Sequence, residues 1–79
     1  MTAKEMFEEL GRIQTTTEYD NYKSDIDYLD KDTELTNIFF DLEDKKIGFI
    51  NVYKITIEEL KAINKQIEEL GWEVVDENN

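Results

Sequence analysis

The chain has 79 residues, with 20 acidic and nine basic side chains, no histidine and no cysteine, and a formal net charge of −11. A chain of this length forms a single domain, residues 1–79, and its charge opposes direct binding to nucleic acid or to an anionic membrane. The two missing residue types exclude disulfides, thiolate-held metals and the usual Ser–His and Cys–His nucleophile pairs.

The first predicted element is a helix over residues 3–10. Thr2 and Glu5 have the spacing of a capping box, in which each side chain bonds the other residue's backbone amide, and Gly11 supplies a stop. The helix is short, so we expect it to be stable only when packed on another element. Its apolar stripe consists of Ala3, Met6, Phe7 and Leu10.

The helical period then disappears, and the chain takes on the character of strands. Four of the five residues 13–17 are β-branched, which favours a short edge strand, and residues 18–21 form a polar turn. Residues 22–29 alternate, so Ile26 and Tyr28 point to one face of the sheet while Asp25 and Asp27 point to the other.

The strongest predicted strand covers residues 35–42. Ile38 and Phe40 face one way, whereas Phe39 and Asp41 face the other way. Residues 43–46 make a polar hairpin connection to a last strand over residues 47–53, which is apolar on both faces. Gly48 inside that strand indicates a bulge or a close backbone approach.

The final helix is marked at both ends by the sequence. Thr56 and Glu59 form a second capping box, and Gly71 takes the left-handed conformation that ends a helix and turns Trp72 back toward Ile67. In the tail, the sequence leaves open whether residues 73–76 form a short strand, and residues 76–79 are expected to fray. The apolar stripe of this helix consists of Leu60, Ile63, Ile67 and Leu70.

These elements predict an α+β two-layer domain of order α-β-β-β(-β)-α. Connections of three to five residues imply an antiparallel meander, because a parallel pair requires a much longer crossover. Both terminal helices are expected on the same face of the sheet. One helix on each face ranks second, and would explain the strand that is apolar on both sides.

The carboxylates are the only groups left that could carry acid–base chemistry. Asp25 with Asp27 and Asp30 with Asp32 form pairs, but a glycosidase-type site needs two carboxyls flanking a cleft, which so small a chain hardly encloses. The opening of a calcium loop at Asp30 fails at Leu35, where a glycine is required. The sequence therefore predicts no catalytic residue, no cofactor and no metal site.

One group of side chains is a candidate for binding a partner. Phe39 should lie among Asp25, Asp27 and Asp41 on the sheet face away from the helices. An aromatic ring surrounded by acids can anchor a basic protein. These four residues are the predicted partner surface.

Three segments resemble a known group of proteins. MTAKEMFEELG at residues 1–11 resembles the start, and ITIEELKAINKQIEELGW at residues 55–72 the end, of small uncharacterised proteins carried by phages and prophages of Gram-positive bacteria. Residues 38–42 are similar to their middle strand. This chain departs at Arg12, where members often carry an aromatic residue, and in its longer tail. The resemblance implies a small cytoplasmic accessory protein of a mobile element and no assigned activity.

Together these observations predict a soluble, cytoplasmic, monomeric, non-enzymatic accessory protein that acts by binding a basic host or phage protein. The alternative is an acidic DNA mimic that inhibits a host nucleic-acid-binding enzyme, with Asp25, Asp27, Asp41 and Asp44 spaced like phosphates. A carboxylate-only hydrolase is the last alternative.

Overall fold

The computed structural model describes residues 1–19 and 22–72. It confirms the predicted α+β architecture, in which two terminal helices flank a four-stranded antiparallel meander of order β1-β2-β3-β4. The predicted tail strand and fraying lie outside the described residues. The elements are α1 (Ala3–Glu9), β1 (Arg12–Tyr19), β2 (Tyr22–Asp30), β3 (Asn37–Asp41), β4 (Lys46–Ile50) and α2 (Ile57–Glu69).

Both helices begin and end where local chemistry predicts. The Thr56 hydroxyl accepts the Glu59 amide at 3.0 Å, and the Glu59 carboxylate accepts the Thr56 amide at 3.0 Å; the same reciprocal pair closes the first turn of α1. At the end of α2, Gly71 has φ 71°, and the Trp72 amide donates to the Ile67 carbonyl at 3.1 Å. This backward bond is the Schellman motif, and it places Trp72 against the core.

The strands differ from the prediction mainly at their ends. β1 continues to Tyr19 and is longer than residues 13–17, so Glu18 and Tyr19 belong to a strand and not to the predicted turn; residues 20 and 21 of that turn lie outside the described residues. β3 begins at Asn37 because Glu34, with φ 58°, turns the chain just before it. β4 ends at Ile50 because Asn51, with φ 55°, leaves the extended region, so the predicted strand end at residue 53 is wrong.

The core lies between the helices and one face of the sheet. The rings of Phe7 and Tyr28 stack with centroids 3.9 Å apart, and Phe40 meets Tyr28 edge-on at 6.0 Å. Trp72 lies 6.2 Å from Phe40 and extends the aromatic cluster. Because α1, β2, β3 and the end of α2 all contribute to one cluster, both helices pack on the same face, as expected.

The buried face of α2 is rotated relative to the predicted stripe. Ala62, Ile63 and Gln66 are buried, whereas Leu60, a member of the predicted stripe, is 41% exposed. The reason is polar as well as apolar: the Tyr28 hydroxyl donates to Gln66 Oε1 and accepts from Gln14 Nε2 at 3.0 Å. This buried hydrogen-bond chain fixes the rotation of α2 over the sheet.

Candidate interaction surfaces

The four residues of the predicted partner surface lie together on the sheet face opposite the helices, which we call the open face. The strand register pairs Asp25 with Asp41 and Asp27 with Phe39. Lys46 of β4 is paired with Asp41 in the same row. The alternation of β2 and β3 is therefore as predicted, and it brings all four predicted side chains onto adjacent positions.

Asp27, however, is an internal acceptor in this group. It is 9% exposed and accepts hydrogen bonds from Asn37 Nδ2 at 3.0 Å and from the Thr17 hydroxyl at 3.2 Å. Asn37 in turn accepts the Tyr28 amide at 3.1 Å through Oδ1. A carboxylate held in this way stabilises the sheet and offers little of its charge to a partner.

Asp41 and Asp25 remain partly exposed in different environments. One oxygen of Asp41 accepts the amides of Glu43 and Asp44, each at 3.0 Å, and so fixes the β3–β4 turn. Partial burial, and then the neighbouring charges of Asp27 and Asp41, raise the pKa of Asp25 above its ordinary value. Since Asp27 is enclosed and Asp41 is bonded to the turn, the four residues proposed for DNA mimicry do not form an evenly presented row of carboxylates.

Phe39 lies across the backbone of the neighbouring strand. A Cβ atom built on Gly48 would overlap three ring carbons of Phe39 and would lie 2.6 Å from Cε2. The glycine predicted to mark a close approach therefore accommodates an aromatic ring from the paired position. Phe39 is thus packed within the open face and is only partly available to a partner.

The acidic loop after β2 is organised by its own backbone. The Asp30 carboxylate accepts the amides of Asp32 and Thr33, each at 2.9 Å, and these bonds lower its pKa. Within the described residues, no group of three or more acidic side chains is arranged to hold a metal ion.

The single arginine has a structural position. Arg12 Nη1 donates to the carbonyls of Tyr28 at 3.0 Å and Thr36 at 3.3 Å, and its Nε lies 3.6 Å from a carboxylate oxygen of Glu59. Both charged side chains are largely buried. The guanidinium therefore links β1, β2, the following loop and α2, and is not available for chemistry on a ligand.

A second surface was not predicted from the sequence. We define the β4 surface as the outer edge of β4 together with residues 51–57. Phe49 is 45% exposed, Tyr53 is 94% exposed and Ile57 is 64% exposed. A shallow groove of about 210 Å³ is lined by Phe49, Val52, Tyr53, Lys54 and Ile55.

The β4 surface also differs in charge from the rest of the molecule. Residues 45–57 contain Lys45, Lys46 and Lys54 and are the longest stretch of the chain without an acidic residue. The absence of acidic residues is visible in the sequence, which predicts a strand that is apolar on both faces and leaves its orientation open. In the structure Ile47 and Phe49 lie on the helix side of an edge strand, and Gly48 and Ile50 lie on the open face.

Comparisons with known protein families, with curated proteins and with solved structures find no match to this chain. Across the part of the chain that the structure describes, neither helix has the length and apolar character needed to span a bilayer. Any functional interpretation therefore depends on the geometry of the two surfaces themselves.

Proposed function

We propose that this protein is a non-enzymatic interaction protein whose β4 surface binds a protein partner. The observation that supports this proposal is the concentration of exposed apolar side chains, Phe49, Ile50, Tyr53 and Ile57, on one acid-free segment of a strongly acidic chain. Phe49, Tyr53 and Ile55 line one groove of this segment, and exposed apolar patches on soluble proteins often mark interaction sites. Tyr53 is the natural anchor, because Tyr is enriched among the residues that dominate binding energy.

The interior polar groups favour binding over catalysis. Tyr28 is fully buried and is held between Gln14 and Gln66, and burial raises its pKa. The Arg12 guanidinium is hydrogen-bonded to backbone carbonyls and paired with Glu59. Groups held this way stabilise the fold and do not face a cavity where a substrate could reach them.

The resemblance to small phage and prophage proteins extends the proposal to a cytoplasmic accessory role in a mobile element, with the protein acting as a monomer. The resembling segments include both capping boxes and the Gly71 stop, which build the scaffold. The β4 strand lies between those segments.

The proposal is tested by affinity capture from a Gram-positive host extract with immobilised full-length protein. Tyr53→Ser removes a side chain that is almost fully exposed, so the fold is unaffected. We expect at least about a tenfold loss of the captured partner, as for an interface anchor. Ile13→Ser, on the opposite sheet edge, is the matched control and should retain the partner. Equal capture by both variants would refute the proposal.

A basic partner on the open face is the second candidate. It is favoured by Asp25, whose pKa is raised by partial burial and then by the neighbouring carboxylates of Asp27 and Asp41, and which forms no ion pair within the described residues. A cation placed there would relieve the repulsion. In the same capture experiment, a partner lost with Asp25→Lys and at high salt, but kept with Tyr53→Ser, would assign the function to the open face. Asp32→Lys, in the exposed loop, is the charge control.

A further inference from the structure

We propose that the partner of the β4 surface enters as an extended strand that pairs with the outer edge of β4, and that its sequence alternates acidic and apolar residues. This inference depends on the proposed function, because it requires that the β4 surface bind a protein. It adds the binding mode and the chemistry of the partner. The backbone, the side chains and the charges of the β4 edge each support this binding mode.

The backbone of β4 has hydrogen-bonding groups that point outward. The Asp30 amide donates to the Thr36 carbonyl at 3.1 Å, and the Leu42 amide donates to the Ser24 carbonyl at 2.9 Å. The backbone amides and carbonyls of the even-numbered residues of β3 therefore point toward β2, and those of the odd-numbered residues point toward β4. This follows because the direction of the backbone hydrogen bonds alternates along an antiparallel strand.

The strand register determines in the same way which backbone groups of β4 point toward β3. Phe39 is paired with Gly48, so Gly48 and its alternate neighbours bond to β3. Ile47 and Phe49 consequently present their amides and carbonyls to the free side of the sheet. Within the described residues, no strand pairs with that side. An extended peptide can satisfy these groups by strand addition, which is a common mode of peptide recognition.

The side chains of this edge favour a strand with an apolar side. Ile47 and Phe49 lie on the helix side of β4, where neither helix covers Phe49. The groove beside Phe49 continues this apolar surface through Val52 and Tyr53. Alternate residues of an added strand would point into this layer, because side chains alternate between the two faces of a sheet.

The charge of this edge favours acidic residues at the other positions. Lys45 and Lys46 stand at the start of β4 and Lys54 follows it, with no acidic residue between positions 45 and 57. Elsewhere the chain is dominated by carboxylates, so an acidic segment is attracted to this edge and repelled by the rest of the surface. The other edge strand, β1, carries three consecutive threonines and Glu18, and its one basic residue, Arg12, is largely buried, so that edge offers no exposed basic component.

The test is a titration of the isotope-labelled full-length protein with the synthetic peptide Glu-Val-Asp-Ile-Glu-Val-Asp, followed by amide resonances and amide hydrogen exchange. In the free protein, we expect the amides of Ile47 and Phe49 to exchange at least about tenfold faster than those of Gly48 and Ile50, which bond to β3. Saturating peptide should remove this difference by protecting Ile47 and Phe49. Protection of Ile47 and Phe49 already present in the free chain would overturn the proposal, because the edge would then be occupied.

Two controls separate strand pairing from nonspecific attraction. A peptide of the same sequence with N-methyl groups on alternate residues keeps its charge and side chains but loses the donors that face β4, so it should not bind. Lys54→Glu should weaken binding of the parent peptide about two- to fivefold, the effect of one exposed charge pair, whereas Lys61→Glu on α2 should not. Equal binding of both peptides, or resonance changes confined to the open face, would overturn the proposal.

The outcomes also distinguish this inference from the function on which it rests. If Tyr53→Ser abolishes capture of a partner while that partner leaves the exchange of Ile47 and Phe49 unchanged, the β4 surface is an interaction site and strand addition is wrong. If Tyr53→Ser has no effect on capture and the peptide does not bind, both fail together.

Discussion

The contact between Phe39 and Gly48 leads to a prediction in which the sign of a mutational effect depends on the background. Gly48→Ala adds a Cβ that would overlap ring carbons of Phe39, so the ring must move aside. Overpacking of this kind costs about 1–3 kcal/mol. Replacing glycine by alanine in a strand returns about 0.5–1 kcal/mol, because glycine loses more conformational freedom on folding.

The two contributions combine to a net loss of about 0–2.5 kcal/mol for Gly48→Ala alone. In a Phe39→Ala background the ring is gone, and only the favourable contribution remains. There, Gly48→Ala should stabilise the protein by about 0.5–1 kcal/mol. For a domain of this size, each kcal/mol shifts the melting temperature by about 4–8 °C, so both effects are measurable.

The assay is a double-mutant cycle that compares parent, both single variants and the double variant by urea and thermal unfolding, followed by far-ultraviolet circular dichroism. Trp72 fluorescence provides an independent probe on the helix side of the sheet. An interaction energy of about 1–3 kcal/mol between the two positions is expected. If Gly48→Ala has the same sign in both backgrounds, the ring does not lie over Gly48 and the reasoning is refuted.

Three further predictions concern the core, the open face and a helix end. Gln66→Leu leaves the buried Tyr28 hydroxyl without its acceptor and should lower the free energy of unfolding by about 1–3 kcal/mol in urea titrations; adding Tyr28→Phe should recover part of the loss. Because the pKa of Asp25 is raised in the folded state, the free energy of unfolding falls as pH rises from the ordinary pKa of this carboxyl through its raised pKa. Asp25→Asn should therefore stabilise the protein by about 0.2–1 kcal/mol near neutral pH, and this gain should disappear as pH falls below the ordinary value of 3.8, where the carboxyl is protonated in both states; a constant difference across pH would exclude the electrostatic cause. The Cβ added by Gly71→Ala would have no atom within 4 Å, so the expected loss of about 1 kcal/mol in the free energy of unfolding comes from the positive φ alone. An unchanged melting temperature would contradict the left-handed stop.

Features that depend on neighbours in the sequence were predictable from the sequence. Both capping boxes and the stop at Gly71 act over three to five residues, so the residues themselves specify the bonds. The period of two along β2 and β3 likewise determines which side chains share a face, and Asp25, Asp27, Phe39 and Asp41 meet as that period predicts.

Strand ends were less predictable because they depend on single backbone angles. Glu34 and Asn51 both adopt a positive φ, which residues other than glycine rarely do, and each turns the chain at a strand boundary. The carbonyl of Leu35 accepts Asn51 Nδ2 at 3.0 Å, a bond between residues that are distant in sequence. Such contacts fix an end only after the sheet has formed.

The sequence by itself determined the order of elements, the antiparallel meander and the faces of the strands, because capping, turn length and alternation are local and follow from residue type. Tertiary structure alone decided which of those residues face solvent. It enclosed Asp27 among Thr17 and Asn37, turned Gln66 toward Tyr28, and left β4 at an edge with Phe49 and Tyr53 exposed. Burial is a property of packing between distant elements, so the exposure of the β4 surface follows from the placement of the helices over the other strands and not from its sequence alone.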